Sequence, residues 1–535
     1  MSNARRSLAD LQDDYNKGSR EPLDKLVKAF VHIQSLKPDD PNSFQVIAGY
    51  HGEPFRDNTP PSSHEDGWWG GYCFHGCVLF PTWHRAYLLR LERALQTAPG
   101  CEDVMLPFWD ECSITGDSTG ANIIPEVLTW VKYPLDGKQI PNPLYSFKLQ
   151  AKLDDDASDK NRYTKPEGYE TVRYPLSGLV GTAEDQEETT AHNALYPDPD
   201  ECTKYLNENV SNWLLKGPNK DTLAVLTQYK RCLQVPDYTT FSNTESAKHK
   251  MTTREKQKNP QYVVPLESPH NAIHLAVGGF YDPGDGNIND GEIPGANGDM
   301  GENNTASFDP IFYLHHCFVD YVFWQWQKRH EATKGFEINE KDPGAKVPPG
   351  GMVNLPAGTV LTMDSPLEPF VNPKSSAGNL YTSKDLVDIE ALGYTYGPGS
   401  LDEVDVPSGP DVPNRLFAVS NINRADYEGS FVIRTYATTD HLESQDITVS
   451  VEVGREPILS RWNIENCANC QNHLDAVSFI PISQEMLDLL LGDDQQGDLT
   501  QKIRFHVAIQ NHKRVFKVPH SELGAPGKPA LEHLT

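Results

Sequence analysis

Histidine is the residue type through which this chain can do chemistry. Seven of its 18 histidines fall in two stretches, three in the first and four in the second: His51, His75 and His84, then His270, His274, His315 and His316. His270 and His274 lie four residues apart behind a candidate helix start, which places both imidazoles on one helix face. That spacing suits a metal ion bound from a single helix. Two core or surface histidines would show the same spacing, so the pair alone is a weak signal.

The remaining histidines strengthen the metal hypothesis. His84 lies on the inner face of its own predicted helix, His75 precedes that helix, and His316 lies on a third predicted helix. Two clusters indicate two metal ions. No carboxylate is interleaved at ligand spacing, which disfavours a Glu-rich di-iron bundle and the iron site that uses one carboxylate. Copper fits this donor set best, and a pair of zinc ions is the weaker alternative.

Helices are predicted where these histidines lie. Apolar residues recur at helical spacing over residues 81–96, so this segment should be an amphipathic helix. Helices should also begin at Pro269 and Pro310, because proline favours the first helical position and Ser268 and Asp309 can act as N-caps. The metal site should therefore be built largely from helices.

The rest of the chain divides into recognisable regions. Residues 153–260 are polar and lack sustained periodicity, which indicates an elaborated insertion. Residues 398–413 are rich in Pro and Gly and almost free of apolar side chains, which is typical of a linker. We therefore expect a catalytic domain over 1–397, an exposed linker that is easily cut, and a second domain over 414–535.

The second domain has the sequence pattern of β-structure. Apolar residues alternate with period two over 431–437, 447–453 and 503–509, with shorter runs around Phe479 and Val515. This pattern predicts an antiparallel β-sandwich over the last 120 or so residues.

Composition excludes several classes of protein. The 535 residues carry 47 Lys and Arg against 75 Asp and Glu, a formal charge of 47 − 75 = −28, which disfavours nucleic-acid binding. No stretch is apolar for long enough to cross a membrane, and no apolar segment follows the first arginines, so we expect a soluble cytoplasmic protein. Nine cysteines, an odd number, argue against a disulfide framework. The sequence leaves homo-oligomers open.

Two histidine-bearing strings resemble the copper motifs of the tyrosinase family. They are YCFHGCVLFPTWHR over residues 72–85 and FDPIFYLHHC over residues 308–317. Further similarities are GYHG at 49–52, LTMDSPLEPF at 361–370 and GYTY at 393–396. The resemblance spans about residues 20–397 and is closest to the fungal-type members. It implies a mainly α catalytic domain with a central four-helix bundle that binds two copper ions, followed by a β-sandwich lid.

The resemblance also implies which residues bind copper. His51, His75 and His84 would hold the first ion, and His270, His274 and His316 would hold the second. His315 would be a neighbour and not a ligand, because adjacent helical residues point about 100° apart. Asp320 would orient a ligand imidazole, but Tyr321 stands where the family commonly has arginine, which leaves its local partner open.

Cysteines of the first motif have two interpretations. Cys73 precedes His75 by two residues, the spacing at which fungal-type members form a thioether bond, and a buried thiol is the alternative. Cys77 and Cys317 are better interpreted as small core residues.

Four residues have implied roles around the substrate. Glu267 and Asn271 match the carboxylate and amide that hold a water, and that water takes the proton from a bound monophenol. A phenol with a pKa of about 10 needs such a base before it can bind a metal as phenolate. Glu267 could instead cap its helix. Phe312 matches the aromatic residue that brackets an incoming ring, with core packing as the alternative, and Leu275 would line the entrance.

The second domain contributes a metal motif and a candidate plug. Cys467 and Cys470 form a CxxC pair that suits Cu(I) and resembles the copper-loading motif of fungal pro-tyrosinase lids; two incidental cysteines are the alternative. Trp462 lies in a polar stretch without a core role and is the first candidate to fill the copper entrance, with Phe479 second. Packing of Trp462 on the edge of the sandwich is the alternative.

Together these observations predict a tyrosinase-like enzyme. It would ortho-hydroxylate monophenols and oxidise o-diphenols to o-quinones with O2, using two copper ions. One alternative is a catechol or o-aminophenol oxidase without hydroxylase activity, against which Glu267 and Asn271 argue. The other is an oxygen carrier of haemocyanin type, which a single unrepeated copper pair disfavours.

Overall fold

A computed structural model describes most of the chain. The described ranges are 3–52, 71–113, 123–154, 162–219, 221–253, 262–280, 296–349, 351–352, 355–404, 415–444, 450–464 and 474–534.

Helices of these ranges are, in chain order, α1 Leu8–Asn16, α2 Glu21–Ser35, α3 Phe44–Gly52, α4 Phe80–Leu95, α5 Ala183–Asn193, α6 Pro199–Leu215, α7 Val225–Cys232, α8 Tyr238–Ser242, α9 Thr244–Thr252, α10 Glu267–Gly278, α11 Ile311–Arg329, α12 Ser383–Leu386, α13 Ile389–Leu392, α14 Asp440–Ser444, α15 Gln484–Leu491 and α16 Leu499–Lys502. None of the described helices combines the length and apolar character that a bilayer crossing requires.

Strands of these ranges are β1 Ala4–Arg5, β2 Lys132–Leu135, β3 Lys138–Pro141, β4 Pro366–Val371, β5 Leu380–Thr382, β6 Thr395–Tyr396, β7 Leu416–Asn423, β8 Phe431–Thr438, β9 Val451–Ile458, β10 Asp475–Pro481, β11 Arg504–Asn511, β12 Val515–Val518 and β13 Ala530–His533. The first six strands form three two-stranded pairs, and β7 to β13 form two larger sheets.

Four helices, α3, α4, α10 and α11, carry the candidate ligands at the centre of a helical core. Helix α4 begins at Phe80 and ends at Leu95, which confirms the predicted helix. Helix α11 is buried on every side from Ile311 to Gln327, as expected of a helix at the middle of a core rather than at its surface.

The predicted start of α10 is wrong by two residues. The helix begins at Glu267, and Leu266 rather than Ser268 occupies the N-cap position. Pro269 is tolerated inside the first turn because the first four backbone N–H groups of a helix have no intrahelical acceptor. The start of α11 agrees better, since Asp309 Oδ1 accepts a hydrogen bond from the backbone N–H of Ile311 at 3.1 Å.

Gly278 at the end of α10 lets this helix approach the turn that contains Met300, whose carbonyl contacts His274. A Cβ atom on Gly278 would lie 1.8 Å from the backbone nitrogen of Gly301. The absence of a side chain lets the helix end pack directly on the short 3-10 turn Asp299–Gly301.

The region predicted as an insertion contains regular structure. Helices α5 to α9 lie within 153–260, and several have side-chain N-caps, including Thr182 for α5, Asp198 for α6 and Asn243 for α9. Most of these helices are short and polar, so their sequences show little helical periodicity. Their N-terminal ends are marked by capping residues instead.

The C-terminal region is rich in sheet. A three-stranded antiparallel sheet has the order β10-β7-β13, and a four-stranded antiparallel sheet has the order β12-β11-β8-β9. Both sheets contribute to one apolar core, for example through Phe417 of the first and Ile433 and Phe505 of the second. Strands β8 and β11 match the predicted ones; β7 and β13 were not predicted.

The start of the predicted linker is packed rather than exposed. Ser400 donates its backbone N–H to Asp110, Leu401 is fully buried, and Asp402 accepts a hydrogen bond from Tyr321. Residues 405–414 lie outside the described ranges. The domain boundaries themselves stay a prediction.

A buried charge network ties α4 to α11. Asp320 on α11 receives Arg85 Nε at 2.6 Å on one oxygen, and Arg5 Nη1 at 3.3 Å and Tyr396 at 2.6 Å on the other. Arg5 also pairs with Glu92 of α4 at 3.0 Å. Two arginines that are distant in sequence, Arg85 and Arg5, therefore pair with Asp320. In the family motif an arginine commonly follows the aspartate directly, at the position that Tyr321 occupies here. Arg85 follows His84 in α4, so this network holds in place the helix that carries a candidate ligand.

We expect Asp320→Asn to destabilise the protein strongly. It leaves Arg85 buried without its charge partner, and breaking a buried pair by removing one member costs about 3–5 kcal/mol. Thermal unfolding should show a clear fall in Tm. Asp364→Asn is the matched control, because its ion pair with Lys384 is mostly exposed and should contribute little. Equal shifts in both variants would contradict the structural role of Asp320.

Candidate metal centre

The structure brings the predicted histidines together in one buried centre. His51 comes from α3, His84 from α4, His270 and His274 from α10, and His316 from α11. The ligand atoms of His51, His84 and His316 lie within 4.8 Å of one another, as do those of the group that contains His270, His274 and His316. His75 lies with His51 and Cys73 at the same spacing.

The geometry of the second histidine group fits a bound metal ion. His274 Nδ1 is 2.9 Å from the carbonyl of Met300, which can only accept, so this nitrogen carries the proton and Nε2 presents a lone pair. His270 Nδ1 likewise lies 2.9 Å from Asn271 Oδ1. Both Nε2 atoms are 3.2 Å from His316 Nε2. Ligands held about 2.0 Å from a tetrahedral metal are separated by about 3.3 Å, which matches.

In the first histidine group, the ring of His84 is oriented in the same way. His84 Nδ1 donates to the carbonyl of Phe80 at 2.8 Å, which leaves its Nε2 as an acceptor. Among the described residues, that Nε2 and both nitrogens of His51 have no hydrogen-bond partner although they are buried. Buried polar atoms are normally satisfied, so the convergence of these nitrogens fits a site for a metal ion.

Burial keeps these imidazoles neutral. It lowers the pKa of His84 to about 3 and the pKa values of His51, His270, His274 and His316 well below the ordinary histidine value. The neighbouring histidines add to the effect on all five, because a second positive charge would be repelled. Neutral imidazole is the form that binds metal, so the donor set suits the proposed ions.

Aromatic rings fill the space around the histidines. Phe80 lies 4.8 Å from His84 and 4.9 Å from His270 between ring centroids and was not found from sequence. Phe312 lies 4.0 Å from His316 and 4.8 Å from His51 and is fully buried. Leu275 is fully buried in the same core. Phe312 therefore packs beside candidate ligands of both groups, while its predicted role in bracketing a substrate ring and the predicted place of Leu275 at the entrance stay predictions.

His315 forms a hydrogen bond with the carboxylate of Glu111, a partner that was not predicted from the sequence. Its Nδ1 is 2.6 Å from Glu111 Oε1, and Tyr229 donates to Glu111 Oε2 at 2.8 Å. Its ring lies 5.3 Å from His270 and 5.0 Å from His274, so it forms a wall beside them. Its ligand atom also falls within the 4.8 Å group.

The fold and these motifs agree with comparisons with known proteins. Residues 41–329 match the common central domain of tyrosinase. The tyrosinase HcTyr2 of Hahella sp. is 44% identical over 96% of this chain and 93% of its own, and an Aspergillus oryzae tyrosinase is 40% identical over 89% and 88%. A tyrosinase structure from Burkholderia thailandensis has a TM-score of 0.79 at 42% identity and covers 99% of this chain and 100% of its own.

The chain belongs to the tyrosinase family. It is a tyrosinase-like copper oxidase with a helical core and a C-terminal region rich in sheet, and an oxygen carrier is not favoured. In this tyrosinase, the six predicted ligands converge in the core, while the number of copper ions stays a prediction.

Glu267 and Asn271 lie together beside the tyrosinase centre. Glu267 accepts hydrogen bonds from the backbone N–H of Gly76 at 2.8 Å and from the N–H and hydroxyl of Thr244, both at 2.9 Å. Glu267 is the first residue of α10, yet its carboxylate binds donors from two other segments, so it is more than a helix cap. Asn271 follows His270 on the same helix.

Cysteines of the first motif are buried. Cys73 Sγ lies 3.6 Å from Asn303 Nδ2 and close to His75, so a thioether stays a prediction that this geometry allows. Burial raises the pKa of the Cys77 and Cys317 thiols to about 12, in agreement with their interpretation as core residues.

A small cavity of about 70 Å³ joins the tyrosinase centre to the C-terminal region. We call it the entrance cavity, and its walls come from both parts of the chain: His75, Gly76, Thr244, Glu245, Glu267, Asn271 and Asn303 from the helical core, and Arg424, Leu459, Ser460 and Arg461 from the C-terminal region.

Trp462 is not the residue that enters this cavity. Its ring stacks on Tyr163 at 5.4 Å and clusters with Leu179, and its backbone N–H donates to Asn304 Oδ1. Phe479 packs with Ala247 and Met251. The preceding residue, Arg461, points to the centre instead, where it donates to the carbonyl of Gly52 and contacts Cys73. The prediction of Trp462 as the plug is therefore corrected. Cys467 and Cys470 lie outside the described residues.

His84→Ala should remove about one copper ion per chain and abolish oxidation. The variant loses the lone pair that α4 directs at the centre, and the imidazoles that remain cannot hold the ion as tightly. Metal analysis of the purified protein, together with O2 uptake on a catechol, measures both effects. His249→Ala is the control, because His249 is exposed on α9. Undiminished oxidation in the His84 variant would show that His84 is not a ligand.

Proposed function

We propose that this tyrosinase hydroxylates monophenols at the ortho position and oxidises o-diphenols to o-quinones with O2. The observation that carries the proposal is the junction of two buried imidazole groups with the Glu267–Asn271 pair at one cavity. His51, His75 and His84 would hold one copper ion, and His270, His274 and His316 would hold the other. When bound, the two ions supply the redox chemistry with O2.

The protein would supply the base. Glu267 is 2% exposed, and its carboxylate is fixed by three donors from Gly76 and Thr244, so it cannot swing into solvent. A water held between Glu267 and Asn271 would accept the proton of a phenol whose pKa is about 10 in solution. The phenol would then approach the centre as phenolate, from the side of His75.

Finer features of the architecture belong to the same proposal. Helices α3, α4, α10 and α11 would form the four-helix bundle around the copper ions, and the two C-terminal sheets would form a β-sandwich lid over 414–535. A thioether between Cys73 and His75 would fix the orientation of that imidazole. The pair Cys467 and Cys470 would take part in copper loading.

The C-terminal region would keep the enzyme latent. Leu459, Ser460 and Arg461 line the entrance cavity, whose volume of about 70 Å³ is far smaller than the roughly 300 Å³ or more of a typical ligand pocket. A phenol would therefore reach the copper ions only after this segment moves away or the linker is cut.

A catechol or o-aminophenol oxidase is the competing function. It would need the same histidines but no base, because a catechol is more acidic and needs only the two-electron oxidation. O2 uptake with a monophenol and with a diphenol, on intact and on linker-cleaved protein, distinguishes the two. Absence of monophenol turnover in the cleaved enzyme would favour the competing function.

Glu267→Gln should reduce monophenol hydroxylation far more than catechol oxidation. A neutral amide cannot draw the proton through the water, and loss of a general base is worth roughly 10²-fold to 10⁴-fold. The ratio of the two rates in linker-cleaved protein is the measurement. Glu245→Gln, which alters another carboxylate of the entrance cavity, should leave the ratio unchanged. An equal loss on both substrates would mean that Glu267 acts only through structure.

Arg461→Ala should raise the activity of the intact protein on small phenols while the linker-cleaved enzyme stays unchanged. The substitution empties the part of the entrance that the guanidinium fills beside Gly52 and Cys73. Trp462→Ala is the matched control from the next position, because it removes a ring that packs on Tyr163 outside the cavity. Activation by Trp462→Ala alone would overturn this assignment.

A further inference from the structure

His512 of the C-terminal region is buried in a contact with the helical core. It is the first residue of the turn between β11 and β12. Asn511 Oδ1 accepts the backbone N–H groups of Lys513 and Arg514 and so fixes this turn. The imidazole of His512 is buried and packs on the ring of Phe280, 4.4 Å between centroids. The turn therefore inserts one titratable side chain between the two parts of the chain.

Both ring nitrogens of His512 face acceptors that belong to the core. Nδ1 lies 3.0 Å from the carbonyl oxygen of Ala296, which has no proton to donate. Nε2 lies 2.6 Å from Glu302 Oε1, and the same oxygen accepts the backbone N–H of Ser430 at 3.2 Å and Nδ2 of Asn297 at 3.4 Å. Each ring nitrogen must therefore carry a proton, so this contact requires the imidazolium cation.

Glu302 lies in a socket that the C-terminal region supplies. Its side chain is fully buried, and among the described residues His512 is the cation at ion-pair distance. Gly429, at a φ of +70°, leaves room for the carboxylate, because a Cβ atom there would lie 2.5 Å from Glu302 Oε1. Loss of the charge of His512 would leave Glu302 buried without this partner, which is costly.

Other charged side chains around this contact have partners of their own. Among the described residues they are Lys165, Asp299, Asp185, Glu188, Glu428, Lys513 and Arg514. Lys165 pairs with Asp299 at 3.7 Å, and Lys513 pairs with Asp185 at 3.1 Å. None of these side chains is a histidine, the residue type whose charge ordinarily changes between about pH 5 and 8. The titration of this contact near neutral pH is therefore assigned to His512.

We propose that His512 is a pH-sensitive latch that keeps the lid docked while its imidazole is protonated. Loss of one proton would leave a ring nitrogen with a lone pair facing either the carbonyl of Ala296 or the carboxylate of Glu302, and two acceptors repel each other. Because the docked state holds this proton and the open state can release it, docking weakens as the pH rises. This inference rests on the lid proposed above, and it gives the intact protein a route to activity without a cut in the linker.

Two measurements test the latch. The first is the ratio of the activities of intact and linker-cleaved protein on a catechol between about pH 5 and 8, because this ratio removes the pH dependence of the reaction itself. It should rise with pH. The second is hydrogen–deuterium exchange of residues 296–305 in the intact protein, which reports opening of the contact without turnover. Variants are compared at equal pH, since intrinsic exchange itself depends on pH.

His512→Gln should flatten the pH dependence of the activity ratio. Its amide nitrogen can still donate to Glu302, but it carries no charge and offers no donor to Ala296. At the acidic end of the range the ratio should rise roughly 10-fold to 100-fold, up to the limit set by the cleaved enzyme, as expected for loss of a hydrogen bond between charged groups. Residues 296–305 should exchange faster at the same pH.

Two further variants complete the experiment. Glu302→Gln changes the other side of the contact and should act in the same direction, and the double variant with His512→Gln should add little to the larger single effect. His506→Gln is the matched control, because this histidine of β11 contacts Thr438 within the C-terminal region. It should leave both the ratio and the exchange unchanged.

Three results would overturn the latch. They are an activity ratio of the unmodified chain that does not rise with pH, an unchanged pH profile in His512→Gln, and an equal effect of His506→Gln. The exchange measurement needs no turnover. Loss of phenol oxidation in every form, with exchange that still follows pH through His512, would therefore refute the proposed function and leave the latch standing.

Discussion

The tyrosinase centre depends on one constraint: several neutral imidazoles must direct unprotonated nitrogens at a common point inside a dry core. Lone pairs that face one another repel, so the arrangement is unfavourable without a cation between them. The protein meets this cost by fixing the opposite nitrogen of each ring. Phe80 O holds His84, Met300 O holds His274, and Asn271 holds His270. Phe80 and Phe312 then pack against the rings and exclude water.

The helices that carry these rings are positioned by buried charges rather than by apolar contacts alone. Asp320 joins α11 to α4 through Arg85 and to the N-terminal strand through Arg5. Glu111 joins the wall residue His315 to α7 through Tyr229. Such pairs add less net stability than their number suggests, but each is costly to break, so they favour a single arrangement of the helices.

One short segment links the C-terminal region to the candidate metal centre. Residues 297–305 contain Met300, whose carbonyl holds His274, and Asn303, whose amide contacts Cys73. The C-terminal region binds the same segment: His512 lies 2.6 Å from Glu302, and Asn303 donates its backbone N–H to the carbonyl of Ser460. Contact with the C-terminal region and orientation of a candidate ligand therefore share one piece of backbone. This arrangement explains why the C-terminal region approaches the candidate ligands so closely.

The sequence by itself determined the chemistry of the site. Two short strings around His75–His84 and His315–His316 resemble the copper motifs of the family and supplied most of the candidate ligands, and the four-residue spacing of His270 and His274 places both on one helix face. Helical periodicity found α4, and period two found β8 and β11. Short capped helices such as α5 and α9 were not predicted, because their sequences lack an amphipathic stripe.

Tertiary structure alone decided the partners and the orientations. Asp320 pairs with Arg85 and Arg5, and His315 pairs with Glu111, across separations of hundreds of residues that no local pattern records. The contact of Phe312 with His316, 4.0 Å between ring centroids, was likewise established only by the packing of the helices. Arg461, for which the sequence predicted no role, lines the cavity in place of Trp462. Both residues lie in an irregular segment after β9, where no periodicity tells which of two adjacent side chains faces the candidate metal centre and which faces Tyr163.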